Sequence, residues 1–173
     1  MRLTVAILLS LLIAPAVLAE EVYLTPETFV ARSFDDNPPP ASSLWLTGEL
    51  KADIERVLGH PPEVLRLRYW RTGARSVWIL EEIGKDKPIT AGFVVDDGRL
   101  ADSVVLAFRE SRGWEIKYPA FTRQFDGTSL DAEQQLDHPV DGITGATLSV
   151  NAMRAMARLA LLLDAHVQEN DHP

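Results

Sequence analysis

Between Leu148 and Val167 the apolar positions fall at Leu148, Ala152, Ala155, Met156, Leu159, Leu162, Leu163 and Val167. Steps of three and four put them on one stripe of a long amphipathic helix. The same spacing predicts a shorter helix buried through Leu50, Ile54, Val57 and Leu58, capped by Thr47 and ended by Gly59 ahead of Pro61 and Pro62. Glycine takes the left-handed conformation that closes a helix, and proline cannot continue one. A third helix starts at Thr25-Pro26-Glu27 and runs through Phe29 and Val30, with threonine as N-cap and proline at the first helical position.

In the middle of the chain the period drops to two. Val64 to Arg71, Ser76 to Leu80, Thr90 to Val95 and Ala101 to Phe108 read as strands, with Thr72-Gly73 and Asp96-Asp97-Gly98 as turns. Short connections between such runs predict an antiparallel meander. Asp35 to Pro40 reads as a linker into Ser42-Ser43, because consecutive prolines end a helix. A calcium loop would need more alternating oxygen ligands. Helices before and after a block of strands predict an α+β fold: an antiparallel sheet of about four or more strands packed against N-terminal and C-terminal helices. The Leu50 and Leu159 helices are expected to cover one face of it.

The segment Asp141-Gly142-Ile143-Thr144-Gly145-Ala146-Thr147-Leu148-Ser149 opens the long helix, with Thr147 or Ser149 expected as N-cap. The first turn of a helix presents unpaired N–H groups and the positive end of its dipole, and Gly145 and Ala146 leave room for an anion to approach the backbone. A phosphate suits such a place. The segment contains no Lys or Arg, which excludes a Walker loop, and its glycines do not form the dinucleotide fingerprint. No G-x-S-x-G elbow occurs in the chain. From position alone, Thr147 is equally a plain helix cap, and Thr144 and Ser149 suit either a phosphate or backbone capping.

Asp141, Gly142, Thr144, Gly145, Ala146 and Thr147 match, in order, the flavinylation pattern Asp-Gly-x-Ser/Thr-Gly-Ala-Thr, and the chain therefore resembles the FMN-binding domain family. That family includes the flavin-bearing C and G subunits of sodium-pumping quinone reductases, their Rnf relatives, and small periplasmic flavoproteins. The resemblance implies FMN held through a phosphoester on Thr147, installed by a separate FAD-dependent flavin transferase, with Asp141 part of the sequence that enzyme recognises. It extends from about Arg66 to Leu163. Glu110-Ser111-Arg112-Gly113-Trp114 occupies the place of a Glu-Thr-Pro-Gly loop that lies near the flavin in the quinone-reductase subunits, with Arg112 in place of the proline. Tyr118-Pro119-Ala120-Phe121 and Gln124-Phe125-Asp126-Gly127 resemble the small periplasmic branch. Asp141, Gly142, Thr144, Gly145, Ala146, Thr147, Leu148, Ser149 and Trp114 are accordingly the expected cofactor-binding residues. Trp114 and Tyr118 suit either stacking on a flat conjugated ring or ordinary packing.

Leu3 to Val17 is an apolar run preceded by Arg2 and followed by Leu18-Ala19, which reads as a secretory signal peptide cut after Ala19. The run is short of the roughly 20 apolar residues of a membrane span; an uncleaved anchor is the other reading. Residues 20–173 are then expected to form a single FMN-binding domain in the periplasm or outside the cell, with peripheral membrane association compatible. The full chain has 17 basic and 25 acidic residues, a formal net charge of −8. Loss of Arg2 with the leader leaves 16 basic residues and a charge of −9. Such an acidic chain is not expected to bind nucleic acid, and suits basic faces of redox partners. The absence of cysteine excludes disulfides, a lipoprotein anchor, thiolate nucleophiles and iron–sulfur ligation. His60, His138, His166 and His172 have no metal-site spacing. Arg66, Arg68, Arg71 and Arg75 read as a solvated face. The primary functional expectation is an electron carrier with membrane or periplasmic redox partners. The alternatives are a secreted non-redox module binding an anionic ligand at the helix N-terminus, and a flavin-dependent reductase.

Overall fold

The computed structural model describes residues 21–170; the expected leader lies outside that range. The described residues form an α+β fold of six strands and four α-helices. Strand β1 is Glu21–Val22, followed by α1, Pro26–Ser33. Thr25 caps α1 by accepting the Thr28 N–H at 3.2 Å, with Pro26 opening the helix. After the proline linker come β2, Ser42–Trp45, and α2, Gly48–Leu58, which ends on Gly59 at φ 83°. Strands β3 (Arg66–Thr72), β4 (Arg75–Ile83), β5 (Pro88–Asp96) and β6 (Arg99–Phe108) follow as the expected meander. Two 3₁₀ turns flank the short α3, Pro119–Thr122, and the chain closes with α4, Thr147–Asn170.

All neighbours in the sheet are antiparallel, in the order β1-β6-β5-β4-β3-β2. Alternation then sorts side chains by face. Trp78, Leu80, Ala91, Phe93, Val95 and Val105 pack into the main core with α2 and α4, as expected for the covered face. On the opposite face Val77, Val94 and Leu106 form a smaller core with Phe29 and Val30 of α1. Gly92 is needed there: a Cβ on it would lie 2.4 Å from the Phe29 ring. Both faces of the central strands are therefore buried.

Helix α4 lies across the main core and is buried over most of its circumference, with Met153, Met156, Ala157, Ala160 and Leu163 inaccessible. Truncating any of the larger ones costs about 2–5 kcal/mol. Asp164 and Gln168, near the C-terminal end, reach the start of β4 through Ser76 and Ala74. The N-terminal end packs near the 3₁₀ turn Trp114–Lys117 that follows β6. This placement brings the 141–149 segment and the 110–114 loop to one end of the molecule.

Three details correct the sequence reading. Helix α4 starts at Thr147, and the Val150 N–H bonds to the Ala146 carbonyl at 2.9 Å, so Ala146 is the cap and neither Thr147 nor Ser149 is. Leu148, at the head of the expected apolar stripe, is 49% exposed, because the first turn projects past the core. Strand β3 starts at Arg66, leaving Val64 and Leu65 exposed ahead of it.

Candidate functional site

The turn before α4 is closed by an Ala146 N–H to Ile143 carbonyl bond of 3.0 Å, with Gly145 at φ 85°. A positive φ at that position of a four-residue turn requires glycine or asparagine. The site where a Gly145 Cβ would stand is open, and so is that at Gly142, whose φ is not positive. Asp141, Gly142, Thr144, Gly145, Thr147 and Leu148 are exposed, while Ala146 and Ser149 are buried. Alanine at the cap has no side-chain acceptor, and no described residue accepts the N–H of Thr147, Leu148 or Ser149. Three donors at the positive end of a 24-residue helix are thus without a protein acceptor beside the exposed Thr147.

Two residues outside the motif hold this segment from behind. Gln124 accepts the Asp141 N–H at 2.6 Å, and Arg154, two turns into α4, donates to the Val140 carbonyl. Gln124 lies in a segment that carries the resemblance, but no sequence signal gave it or Arg154 this role, since Gln124 and Asp141 are 17 positions apart and no local pattern links them.

The loop after β6 meets the helix mouth at Gly113. A Cβ on Gly113 would lie 2.5 Å from Ser149 Oγ, 3.2 Å from Ser149 Cβ and 3.4 Å from Ala146 Cβ, and its φ is 89°. Backbone and helix therefore touch where the resemblance placed a loop near the cofactor. Glu110 has a different task. Its Oε1 accepts the N–H groups of Lys85, Asp86 and Lys87 at 2.5, 2.5 and 2.8 Å, latching the β4–β5 turn to the end of β6. Partial burial pushes the Glu110 carboxyl up, but the three amide donors and the Lys85 charge prevail and hold it below the usual carboxylate range. Arg112 is exposed on this loop.

Beyond Gly113 stands a cluster of rings around one cation. Trp114 and Tyr118, 41% and 47% exposed, meet edge to face with centroids 5.7 Å apart. Lys117 Nζ lies 4.1 Å from the Tyr23 ring centroid, 5.3 Å from that of Trp114 and 5.8 Å from that of Tyr118, with Glu21 Oε2 at 3.8 Å. On the same turn Glu115 Oε2 is buried without a hydrogen-bond partner, an orphan of the kind that a bound donor would satisfy.

The remaining candidates lie elsewhere. Arg66 and Arg68 are exposed as expected, with Arg66 over the Trp45 ring, but Arg71 bonds Gln168 and the Gly73 carbonyl, and Arg75 pairs with Asp96 at 2.7 Å. The basic row is thus half spent on intramolecular contacts. His60 pairs with Glu82 and His138 with Asp137; His172 lies outside the described residues. Among the described residues no group of acids and histidines is arranged to hold a metal, and no helix is long and apolar enough to cross a membrane.

The site coincides with the one part of the chain that comparison identifies. Residues 84–162 match the sequence profile of the FMN-binding domain, a span that contains Glu110, Gly113, Trp114, Lys117 and the whole 141–149 segment. No curated protein matches the chain at a significant level.

Proposed function

We propose, from the match of residues 84–162 to the FMN-binding domain profile, that this protein carries FMN covalently through a phosphoester on Thr147 and transfers electrons in the periplasm. The observation that carries the reading is the exposed Thr147 at the first position of α4, beside three N–H groups without protein acceptors. A phosphate on its hydroxyl would be neutralised by those donors and the helix dipole, which compensates for the absence of Lys and Arg between Asp141 and Ser149. The open space at Gly142 and Gly145 leaves the backbone bare for both the cofactor and the transferase, and exposed Asp141 is free to be read by that enzyme.

Bound FMN supplies the redox chemistry, and the protein supplies attachment, orientation and electrostatics. Thr147 provides the ester oxygen; Ala146, Gly145 and Thr144 shape the cradle; Ser149, pressed on Gly113, fixes the loop that bears Trp114. Covalent attachment removes the dissociation equilibrium by which a cofactor outside the cytoplasm would be lost. The partners in this reading are a FAD-dependent flavin transferase during maturation and membrane or periplasmic redox proteins afterwards, and the charge of −9 without the leader steers this protein toward their basic faces.

Purified from cells that express a flavin transferase in the periplasm, the protein should stay yellow after denaturation and bleach reversibly with dithionite. Loss of colour on denaturation would refute covalent attachment. Steady oxidation of NADH at enzyme-like rates, with a median of ~10 per second, would replace the carrier role with a reductase.

A further inference from the structure

We infer that Lys117 is a positioning residue of the flavin site, which locks Trp114 and Tyr118 into a ring-binding platform and places one positive charge beside the bound isoalloxazine. The inference rests on the function proposed above and goes beyond attachment to the control of potential.

Four observations converge on Lys117. Its ammonium is held among three rings, at 4.1 Å from Tyr23, 5.3 Å from Trp114 and 5.8 Å from Tyr118, an arrangement in which each ring face attracts the cation. The side chain is 23% exposed, whereas the carboxylate 3.8 Å away, Glu21, is 62% exposed, so water screens the anion more than the ammonium and Glu21 offsets only part of the charge that Lys117 presents to the rings. Trp114 and Tyr118, although packed on the cation, remain 41% and 47% exposed. Large rings left open in this way are uncommon for core packing and suited to a flat conjugated ligand. The platform begins at the residue after Gly113, whose backbone abuts Ser149 and Ala146 at the helix mouth, so the turn that carries Lys117 is fixed to the turn that carries Thr147.

Two-electron reduction of a bound isoalloxazine by a redox partner, with uptake of one solvent proton, would add one negative charge to the ring. A fixed cation nearby favours that reduced state, and burial among rings strengthens the effect by limiting water. Lys117 thereby raises the potential, while the rings set the orientation.

The test uses full-length protein coexpressed with a flavin transferase, as wild type, Lys117→Met and Lys117→Arg, with intact mass and dye-referenced redox titration by dithionite. All three should carry one FMN. Lys117→Met should shift the equilibrium for two-electron reduction at least tenfold toward the oxidised form, a drop of about 30 mV, and Lys117→Arg should restore most of it. Should Lys117→Met not load, Lys117→Gln takes its place in the same comparison. Equal potentials in loaded wild type and charge-free variants would overturn the inference, as would a drop that arginine leaves uncorrected. If wild type itself never gains FMN, it is the proposed function that fails.

Discussion

Replacing Gly113 by alanine tests whether the loop after β6 and the mouth of α4 form one unit. The substitution meets two costs. At φ 89° an L side chain sits in the left-handed region, which costs about 1–2 kcal/mol. The new methyl would also stand 2.5 Å from Ser149 Oγ and 3.2 Å from Ser149 Cβ, overpacking that typically costs about 1–3 kcal/mol. Ser149 is buried at 5% exposure on α4, so we expect a total of about 2–5 kcal/mol out of a stability of roughly 5–15. With a urea slope of about 2 kcal/mol per molar, the midpoint should fall by about 1–2.5 M. Ser149→Ala removes the hydroxyl but not the Cβ, so it should relieve about 1 kcal/mol of the Gly113→Ala penalty and leave the backbone part intact, read as the coupling in a double-mutant cycle. Urea denaturation of the four proteins, followed by circular dichroism, gives each number. A Gly113→Ala loss under about 1 kcal/mol, or additivity with Ser149→Ala, would refute the contact and with it the coupling of the two segments.

Two further predictions concern charge. Glu110→Ala removes the acceptor of three amides, a loss of about 1.5–3 kcal/mol for bonds to a charged group; because the folded carboxyl is depressed, the stability it contributes is present above its unfolded pKa and vanishes as pH falls through the folded one, so the wild-type and variant unfolding curves should converge in acid, and a constant gap would contradict the latch. Asp164 is buried at 1% exposure, and burial raises its pKa against the Ser76 and Gln168 hydrogen bonds and the Arg71 charge. Protonated Asp164 therefore suits the fold, and its contribution is lost as pH rises through the folded pKa; Asp164→Asn should be more stable than wild type at pH 8 and indistinguishable at pH 4 by thermal melts, whereas a variant less stable at pH 8 would refute this.

The elements that announced themselves are those whose burial is one-sided and whose ends are marked. Helix α1 has Thr25 and Pro26, helix α2 has Thr47 and Gly59, and strands β4 to β6 alternate or run apolar between turns that contain Gly73 and Gly98. Strand β2 left no such mark. Three of its four residues, Ser42, Ser43 and Trp45, are exposed at the sheet edge, so neither alternation nor an apolar run could reveal it. Strand β1, two residues long, is defined only by its partner β6. At the site, the Asp141 to Ser149 motif was legible, and its place at a helix mouth followed from the Leu148 to Val167 stripe. The cap differs from the expectation because a hydroxyl signals a cap only when its own backbone lies outside the helix, and here Thr147 is already the first helical residue with Ala146 as the cap before it. Gln124, Arg154 and Glu110 act across contacts that only the fold creates. Lys117 had a local signal, a cation between Trp114 and Tyr118, which sequence reading passed over in favour of the rings.

The central claim is that Thr147 is the site of FMN attachment, and intact mass spectrometry addresses it most directly. Wild type, Thr147→Ala and Ser149→Ala are coexpressed with a flavin transferase in the periplasm and weighed after denaturation. Thr147 stands inside the helix and caps nothing, so its loss should change stability by less than about 0.5 kcal/mol, and a missing flavin could not be blamed on unfolding. Wild type and Ser149→Ala should be heavier by one FMN less one water, and Thr147→Ala should keep its unmodified mass. A folded Thr147→Ala protein that still gains that mass would contradict it and move the attachment to Thr144 or Ser149.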